Sequence, residues 1–270
     1  RPDVVWVFKG MEIFPETLLE IKKKGVLLVN FNPDHPYIFS GYGSGNQNVQ
    51  GGLSHYDLHF CYAKSVMDRI EGEVGVQCKR LPFGYTLSDV SDESIQSERE
   101  ILRACFVGFC DASRLKVVQH LQQAGVPIDV YGGGWKGKVQ PSKTLRLFEP
   151  VYNEDYWRVL RRYRVQLNML RRHNLGNHNM RTFEVPAAGG IMLTERSVEQ
   201  SEFFKVGEEI FDYANTTEMM QQIDQLLQLP ERRASEIREA ARRRSVRSGY
   251  AYTERAKDVL ASCQELLAQK

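Results

Sequence analysis

The chain has 270 residues, 42% of them hydrophobic and 26% charged, with a net charge of +2. That length suits two domains, each with its own core, and the near balance of charge gives no basis for a general affinity for nucleic acid. No stretch approaches the roughly 18 apolar residues of a membrane span, and the five cysteines (Cys61, Cys78, Cys105, Cys110 and Cys263) form no CxxC pair and read as buried thiols in a reducing compartment.

Val4–Phe8 (VVWVF) is a continuous apolar run, the mark of a strand buried on both faces. Pro15 opens a helix that Gly25 closes, and Val26–Phe31 is the next strand. A long polar, glycine-rich loop follows, from Asn32 to Gly52. Asp57–Tyr62 reads as a strand, Ala63–Glu71 as a helix and Val76–Leu81 as a strand ended by Pro82. Strand alternating with helix predicts a parallel sheet. The acidic stretch from Thr86 to Arg99 reads as a linker or surface helix, with the domain boundary near Glu100. The expected division is 1–99, 100–250 and a C-terminal helix over 251–270.

The second alternation begins with the strand Leu102–Phe109 and the helix Ser113–Ala124. Ile128–Tyr131 is a strand that runs into the glycines of "YGGGWKGK". Asn153–Tyr163 reads as a helix and Val165–Leu170 as a strand. Residues 180–188 are a short helix capped by Gly189, between that strand and Ile191–Thr194. Ile210–Tyr213 is a further strand, Asn215–Gln228 a helix with capping-box spacing, and two helices close the chain. The fold class expected is α/β, with two Rossmann-like doubly wound parallel sheets and a ligand at the carboxyl ends of strands.

Arginines crowd residues 158–172 and 238–247. Solvated helix faces are the ordinary reading; an anionic ligand or peripheral contact with an anionic membrane is the alternative.

The segment "NMRTFEVPAAGGIMLTE" (179–195) carries the chemistry. A helix beginning near Met180, after a strand, would aim the free amides of Met180, Arg181 and Thr182 at an anion. Glu184, one turn on, suits the two hydroxyls of a ribose. Anion site plus diol acceptor implies a nucleoside diphosphate, the competing reading being an Arg181–Glu184 pair at a helix end. In "FVGFCDASR", Gly108 permits close backbone approach and Arg114 is placed to reach a phosphate. Gly133 lies in the second glycine turn, and "LFEPV", with Pro150 and Val151, is an edge that could hold a base.

"NMRTFEVPAAGGIMLTE", "GEEIFDY", "GYAYTERAKDVL" and "FVGFCDASR" together resemble the C-terminal domain of the CgeB-like glycosyltransferases, in the GT-B class related to glycosyltransferase family 4. The resemblance covers roughly residues 100 to 265. It implies transfer of a sugar from a nucleotide sugar, with retention of anomeric configuration, to a glycan, lipid-linked or protein acceptor entering across a cleft. The implied donor-binding set is Gly108, Arg114, Gly133, Pro150, Val151, Asn179, Arg181, Thr182 and Glu184. Family 4 carries Glu-x7-Glu, and Glu184 fits its second, ribose-binding member. The first falls at Gly176, so Asn177, Asn179 or Arg181 would replace its contacts. The chain has no Asp-x-Asp, so no metal and no other cofactor is expected.

The catalytic group is not assigned; Arg181, His178 and His35 are the candidates, although a structural role is the ordinary reading of any one histidine. The first half resembles only the latter part of the family's first domain, so the chain is expected to begin inside it. The expected compartment is the cytoplasm, with membrane-peripheral contact left open. A nucleotide-sugar epimerase of the same fold and a non-catalytic binding module are the alternatives.

Overall fold

The computed structural model describes residues 1–39, 43–86, 99–171 and 176–269. They form two compact units, Arg1–Phe83 with Tyr252–Lys270, and Gly84–Ala251. The division differs from the expected one. Glu100 lies inside the second unit, and the C-terminal helix belongs to the first. Residues 87–98 of the expected linker, together with Arg172 and His173, lie outside the described residues.

The first unit is a parallel sheet of β1 (Val4–Phe8), β2 (Leu27–Asn32), β3 (Leu58–Cys61) and β4 (Cys78–Arg80), in that spatial order. Helices α1 (Pro15–Lys22), α2 (Gln47–Gly52) and α3 (Lys64–Val74) connect the strands. Strand β2 shows why its residues read as one apolar run. Leu27 and Val29 pack with Val259 and Cys263 of the C-terminal helix (Tyr252–Ala268), while Leu28 packs with Val7 and Leu18 on the other side. Helix α2 was hidden in the polar loop; Asn46 caps it, accepting from the Val49 amide at 3.2 Å. His59 is a satisfied core histidine between Asn30 and the carbonyl of Leu53.

The second unit holds β5 (Ile101–Val107), α4 (Ala112–Gln123), β6 (Ile128–Tyr131), β7 (Leu145–Phe148), α5 (Asn153–Arg162) and β8 (Tyr163–Asn168). Then come α6 (Arg181–Ala187), β9 (Met192–Glu195), α7 (Val198–Phe203), β10 (Phe211–Tyr213), α8 (Thr216–Leu227) and α9 (Glu231–Arg247). The strands are parallel in the order β10-β9-β8-β5-β6-β7. The chain winds outward from β5 through β6 to β7, returns to β8 beside β5, and winds outward the other way. The switch point therefore lies between the carboxyl ends of β5 and β8, where such sheets bind ligands.

Two arginines from the crowded segments are neither solvated nor free for an anionic surface. Arg164 and Arg238 are buried and share Glu100, at 2.5 and 2.7 Å. Arg164 also donates to the carbonyls of Leu226 and Leu229, at the end of α8. Arg238 donates to the carbonyls of Arg161, Tyr163 and Gly189. The guanidinium forks thus supply donors to backbone oxygens at helix ends and strand entries.

Burial alone would raise the Glu100 pKa, but the two guanidiniums outweigh it and hold the carboxyl below its usual range. A lowered folded pKa contributes stability above the ordinary carboxylate value and loses it as pH falls through the folded value. Glu100→Gln should therefore cost roughly 3 kcal/mol at neutral pH by leaving two buried cations uncompensated, and the gap to wild type should narrow in acid. Urea denaturation at pH 7 and pH 3 measures both. A loss unchanged between the two would mean that the packing of Glu100, not its charge, matters.

Candidate functional site

The carboxyl end of β5 runs into Gly108, whose amide donates to the carbonyl of Tyr131 at 2.8 Å and whose own carbonyl accepts from Trp135 Nε1 at 2.9 Å. At φ +140°, Gly132 lies so close that a Cβ there would run into the Gly108 carbonyl. The close approach thus demands a glycine at Gly132, whereas a Cβ at Gly108 would meet the Phe106 ring. Gly133 borders a groove of about 450 Å³ at the ends of β6 and β7, lined also by Trp135, Lys136, Leu147, Phe148 and Glu149. Phe148 stacks on Tyr131, with ring centres 4.6 Å apart. Pro150 is exposed just beyond, whereas Val151 packs against Cys105, Tyr131, Val159 and Tyr163.

Between β8 and α6 a polar cluster fixes the loop. Thr182 is fully buried, and its hydroxyl meets Gln200 Nε2 at 3.0 Å, Asn168 Nδ2 at 3.4 Å and the Asn179 amide N–H at 3.3 Å. Asn179 Oδ1 accepts from the Thr182 amide at 3.2 Å, and its Nδ2 donates to Asn168 Oδ1 at 2.8 Å. This corrects two expectations. The Thr182 amide is occupied by Asn179, and the side chains of Thr182 and Asn179 hold the loop rather than face a ligand.

Arg181 and Glu184 leave α6 three residues apart, on one side. Arg181 donates to Glu184 Oε2 at 2.5 Å, and Tyr156 of α5 donates to the same oxygen at 2.6 Å. The Arg181 guanidinium lies 4.6 Å from the centre of the Tyr156 ring. The expected helix-end pair is therefore present. Both bonds fall on Oε2, which leaves Oε1 without a partner among the described residues. Tyr156 was not legible, since its helix turn also carries Glu154 and Asp155 and reads as solvated.

Arg114 bridges the switch point. It donates from the start of α4 to the carbonyl of Met169, beyond β8, at 2.8 Å and to that of Phe109 at 3.3 Å. Its pKa is lowered, first by burial and then by the positive charges of Arg171 and Arg181. Arg171 and Arg181 thus both lie close enough to act on Arg114. Asp111 is the nearest counter-charge, 3.5 Å from Arg114, and it is also the cap of α4, accepting from the amides of Ser113 and Arg114.

Glu195, at the carboxyl end of β9, is a further acid at this point. Its one signal in the sequence is an acid ending a strand-like run.

Two histidines are held by the chain's own groups. His178 is fully buried, paired with Glu199 at 2.6 Å and packed edge-on against Phe183 and Phe203. His35 is buried in a turn of the first unit, its Nδ1 accepting from the Tyr37 amide at 3.2 Å. Of the three catalytic candidates, both histidines are thus buried in structural contacts, and Arg181 lies in the cluster with Glu184 and Tyr156.

A family model described as glycosyl transferase-like matches residues 114–261. No curated protein matches the chain. Among solved structures, HepE from Anabaena, in complex with UDP-glucose, is similar with a TM-score of 0.68 and 10% identity, over 97% of this chain and 79% of that one. TarM is similar with a TM-score of 0.70 and 9% identity, over 96% of this chain and 54% of that one. A Listeria monocytogenes protein described as a UDP-N-acetylglucosamine 2-epimerase has a TM-score of 0.59 and 14% identity, over 100% of this chain and 76% of that one. These likenesses show the fold, two parallel α/β sheets of the GT-B class. No helix among the described residues is long and apolar enough to cross a membrane.

The Thr182 cluster makes a measurable demand. Thr182→Val keeps the shape but strands the backbone amide of Asn179 and leaves Gln200 Nε2 only its 3.5 Å bond to Thr194, at about 1–3 kcal/mol for a group left unsatisfied. Urea denaturation should register that loss, and Thr182→Ser should recover most of it. Equal stability of Val and wild type would mean that the hydroxyl carries none of the load.

Proposed function

The chain belongs to the glycosyl transferase-like family, and on that premise we propose that it transfers a sugar from a nucleoside-diphosphate sugar to an acceptor. The observation that carries this reading is the convergence of Arg114, Arg171 and Arg181 at the switch point of the second sheet. Mutual repulsion among cations is relieved by an anion, and a diphosphate supplies two charges where two loops meet. As the bond to the sugar breaks, negative charge gathers on the departing diphosphate. Arginines fixed beforehand stabilise that charge more than they stabilise the bound donor, which is what lowers a barrier. In this reading they take the place of a divalent metal, and activity should survive EDTA.

Glu184 fits the ribose. Its Oε2 is held by Arg181 and Tyr156, and Oε1 is left to accept from a hydroxyl. The groove lined by Phe148 and the backbone of Leu147 to Glu149 suits a base. Retention at the anomeric carbon is part of the proposal, on the resemblance to family 4; the acceptor is a glycan, a lipid-linked sugar or a protein.

A thermal-shift series with UDP, GDP, TDP and CMP identifies the nucleotide, since a ligand of the folded state raises the midpoint. Incubating the matching nucleotide sugar without acceptor then separates transfer from its alternatives. An isomerised sugar assigns an epimerase instead, and no selective nucleotide binding assigns a non-catalytic module.

Arg181→Ala should weaken the nucleoside diphosphate by roughly 10- to 100-fold, the loss of about 1.5–3 kcal/mol of charge-assisted bonding. It should barely change binding of the bare nucleoside, which carries no diphosphate. Glu184→Gln should weaken both alike. Calorimetry on the variants decides; an Arg181→Ala effect equal for nucleoside and diphosphate removes Arg181 from the phosphates.

A further inference from the structure

Glu195 is half-buried at the carboxyl end of β9, paired in register with Tyr213 of β10 and one step beyond the Thr194–Asn168 pair with β8, beside the Met169 carbonyl that Arg114 holds at 2.8 Å. The Leu170 amide, beyond β8, donates to its carboxyl, Arg114 approaches from α4, Asp111 from the loop after β5, and Tyr213 from β10. Its Oε2 is buried and has no hydrogen-bond partner. An ionised carboxylate with a bare, buried oxygen is costly, and protonation removes the cost. Asp111 adds a second negative charge, whereas the Leu170 amide and Arg114 favour the ionised form; burial is the largest of the four and decides the direction.

We propose that Glu195 couples a proton to anion binding at the arginines, holding the proton while a diphosphate is bound and releasing it when the diphosphate leaves. The identification of the anion as a nucleoside diphosphate rests on the function proposed above. In the free protein an ionised Glu195 offsets part of the charge of Arg114. A diphosphate on Arg114 takes over that role and places further negative charge beside the carboxyl. Glu195 then gains a proton from solvent, and no bond other than the O–H bond changes. The groups facing Glu195 are Arg114, Asp111 and Tyr213, and burial, the largest influence, already moves its carboxyl up to about 7. The gain therefore falls within the working range of the protein rather than in acid.

The linkage has a definite sign. A raised folded pKa favours folding at low pH, and that contribution is lost as pH rises through the folded value. Burying Glu195 therefore costs stability from about pH 4.5 to about pH 7 and above. Glu195→Gln should be more stable than wild type at pH 8 and no more stable at pH 4.

The test uses two anions that do not themselves titrate near neutrality, sulfate and the diphosphate diester of UDP-glucose. Binding is measured by calorimetry from pH 6 to pH 8.5 in buffers of different ionisation enthalpy. Wild type should take up close to one proton per anion bound above pH 7, and Kd should rise by nearly tenfold per pH unit there. Glu195→Gln should bind at every pH with the wild-type affinity of low pH and take up no proton. Because proton uptake is read on wild type, the result stands even where the variant folds poorly.

The outcomes separate the two claims. Proton uptake with sulfate but no binding of UDP-glucose supports the proton site and counts against UDP-glucose as donor. UDP-glucose binding without proton uptake, and with the same pH profile in Glu195→Gln, overturns the role of Glu195 and leaves the transferase reading standing. If neither anion binds, the arginines are not an anion site and the proposal falls with it.

Discussion

The hydroxyl of Thr182 is the interaction on which the site depends. It is fully buried and joins four pieces of chain: Asn168 ending β8, Asn179 before α6, Gln200 in α7, and α6 itself. A helix places residues one apart on different sides and residues three apart on the same side. Fixing Thr182 inward therefore fixes Arg181 and Glu184 together on another face. Phe183, also fully buried, packs with Phe203, Phe204 and Tyr250 and prevents rotation of the helix. The charged pair thus needs no anchor of its own, because its direction is set by the neighbours that point the other way.

The same economy governs the arginines. A parallel sheet with helices on both faces leaves carbonyls at helix ends and strand entries that water cannot reach. Arg164 and Arg238 satisfy five of them, the carbonyls of Leu226, Leu229, Arg161, Tyr163 and Gly189, while Glu100 cancels their charge. A second buried acid, Asp129 of β6, does likewise for Arg103, Arg146 and Tyr163 across four strands. Arginines crowded along the sequence are thereby divided by burial. Those at strand entries are neutralised by buried acids, whereas Arg114, at the carboxyl ends, has only the looser Asp111 contact at 3.5 Å.

Much of this was legible. Strands buried on both faces announce themselves as apolar runs, and β2, β3, β5, β6 and β8 were found that way. Strand β7 was not, because LRLF is an edge with Arg146 and Phe148 exposed, and four residues of mixed character carry no period. Helix α2 was missed because its residues, QNVQGG, are weak helix formers held by the Asn46 cap. The site was half visible. Arg114, Arg181 and Glu184 could be placed by their distance from strand ends. Gly108, Thr182 and His178 read as ligand residues from the same position, and the structure gives each of them hydrogen-bond partners within the chain. Position beyond a strand shows that a residue is near the site, and only the neighbours show which way it faces.

The assignment of burial also explains why the cations at the switch point are only partly offset, Arg181 by Glu184 at 2.5 Å and Arg114 by Asp111 at 3.5 Å. Asp111 shares its charge between the first turn of α4, where its Oδ1 is committed to two backbone amides, and Arg114, which its Oδ2 meets at 3.5 Å. Glu184 is committed through Oε2 to Arg181 and Tyr156, which leaves the charge of Arg114 and Arg171 uncancelled by it. Glu195 is the remaining acid, and burial works against its charged form. Each acid near the crevice is thus bound elsewhere or driven toward neutrality, while each arginine stays charged because its pKa is too high for burial to remove the proton. An imbalance of this kind is a standing electrostatic cost to the folded chain, and the same charges aimed at one point are what an anionic ligand would use. The cost and the binding capacity are one property of the site, read first without the anion and then with it.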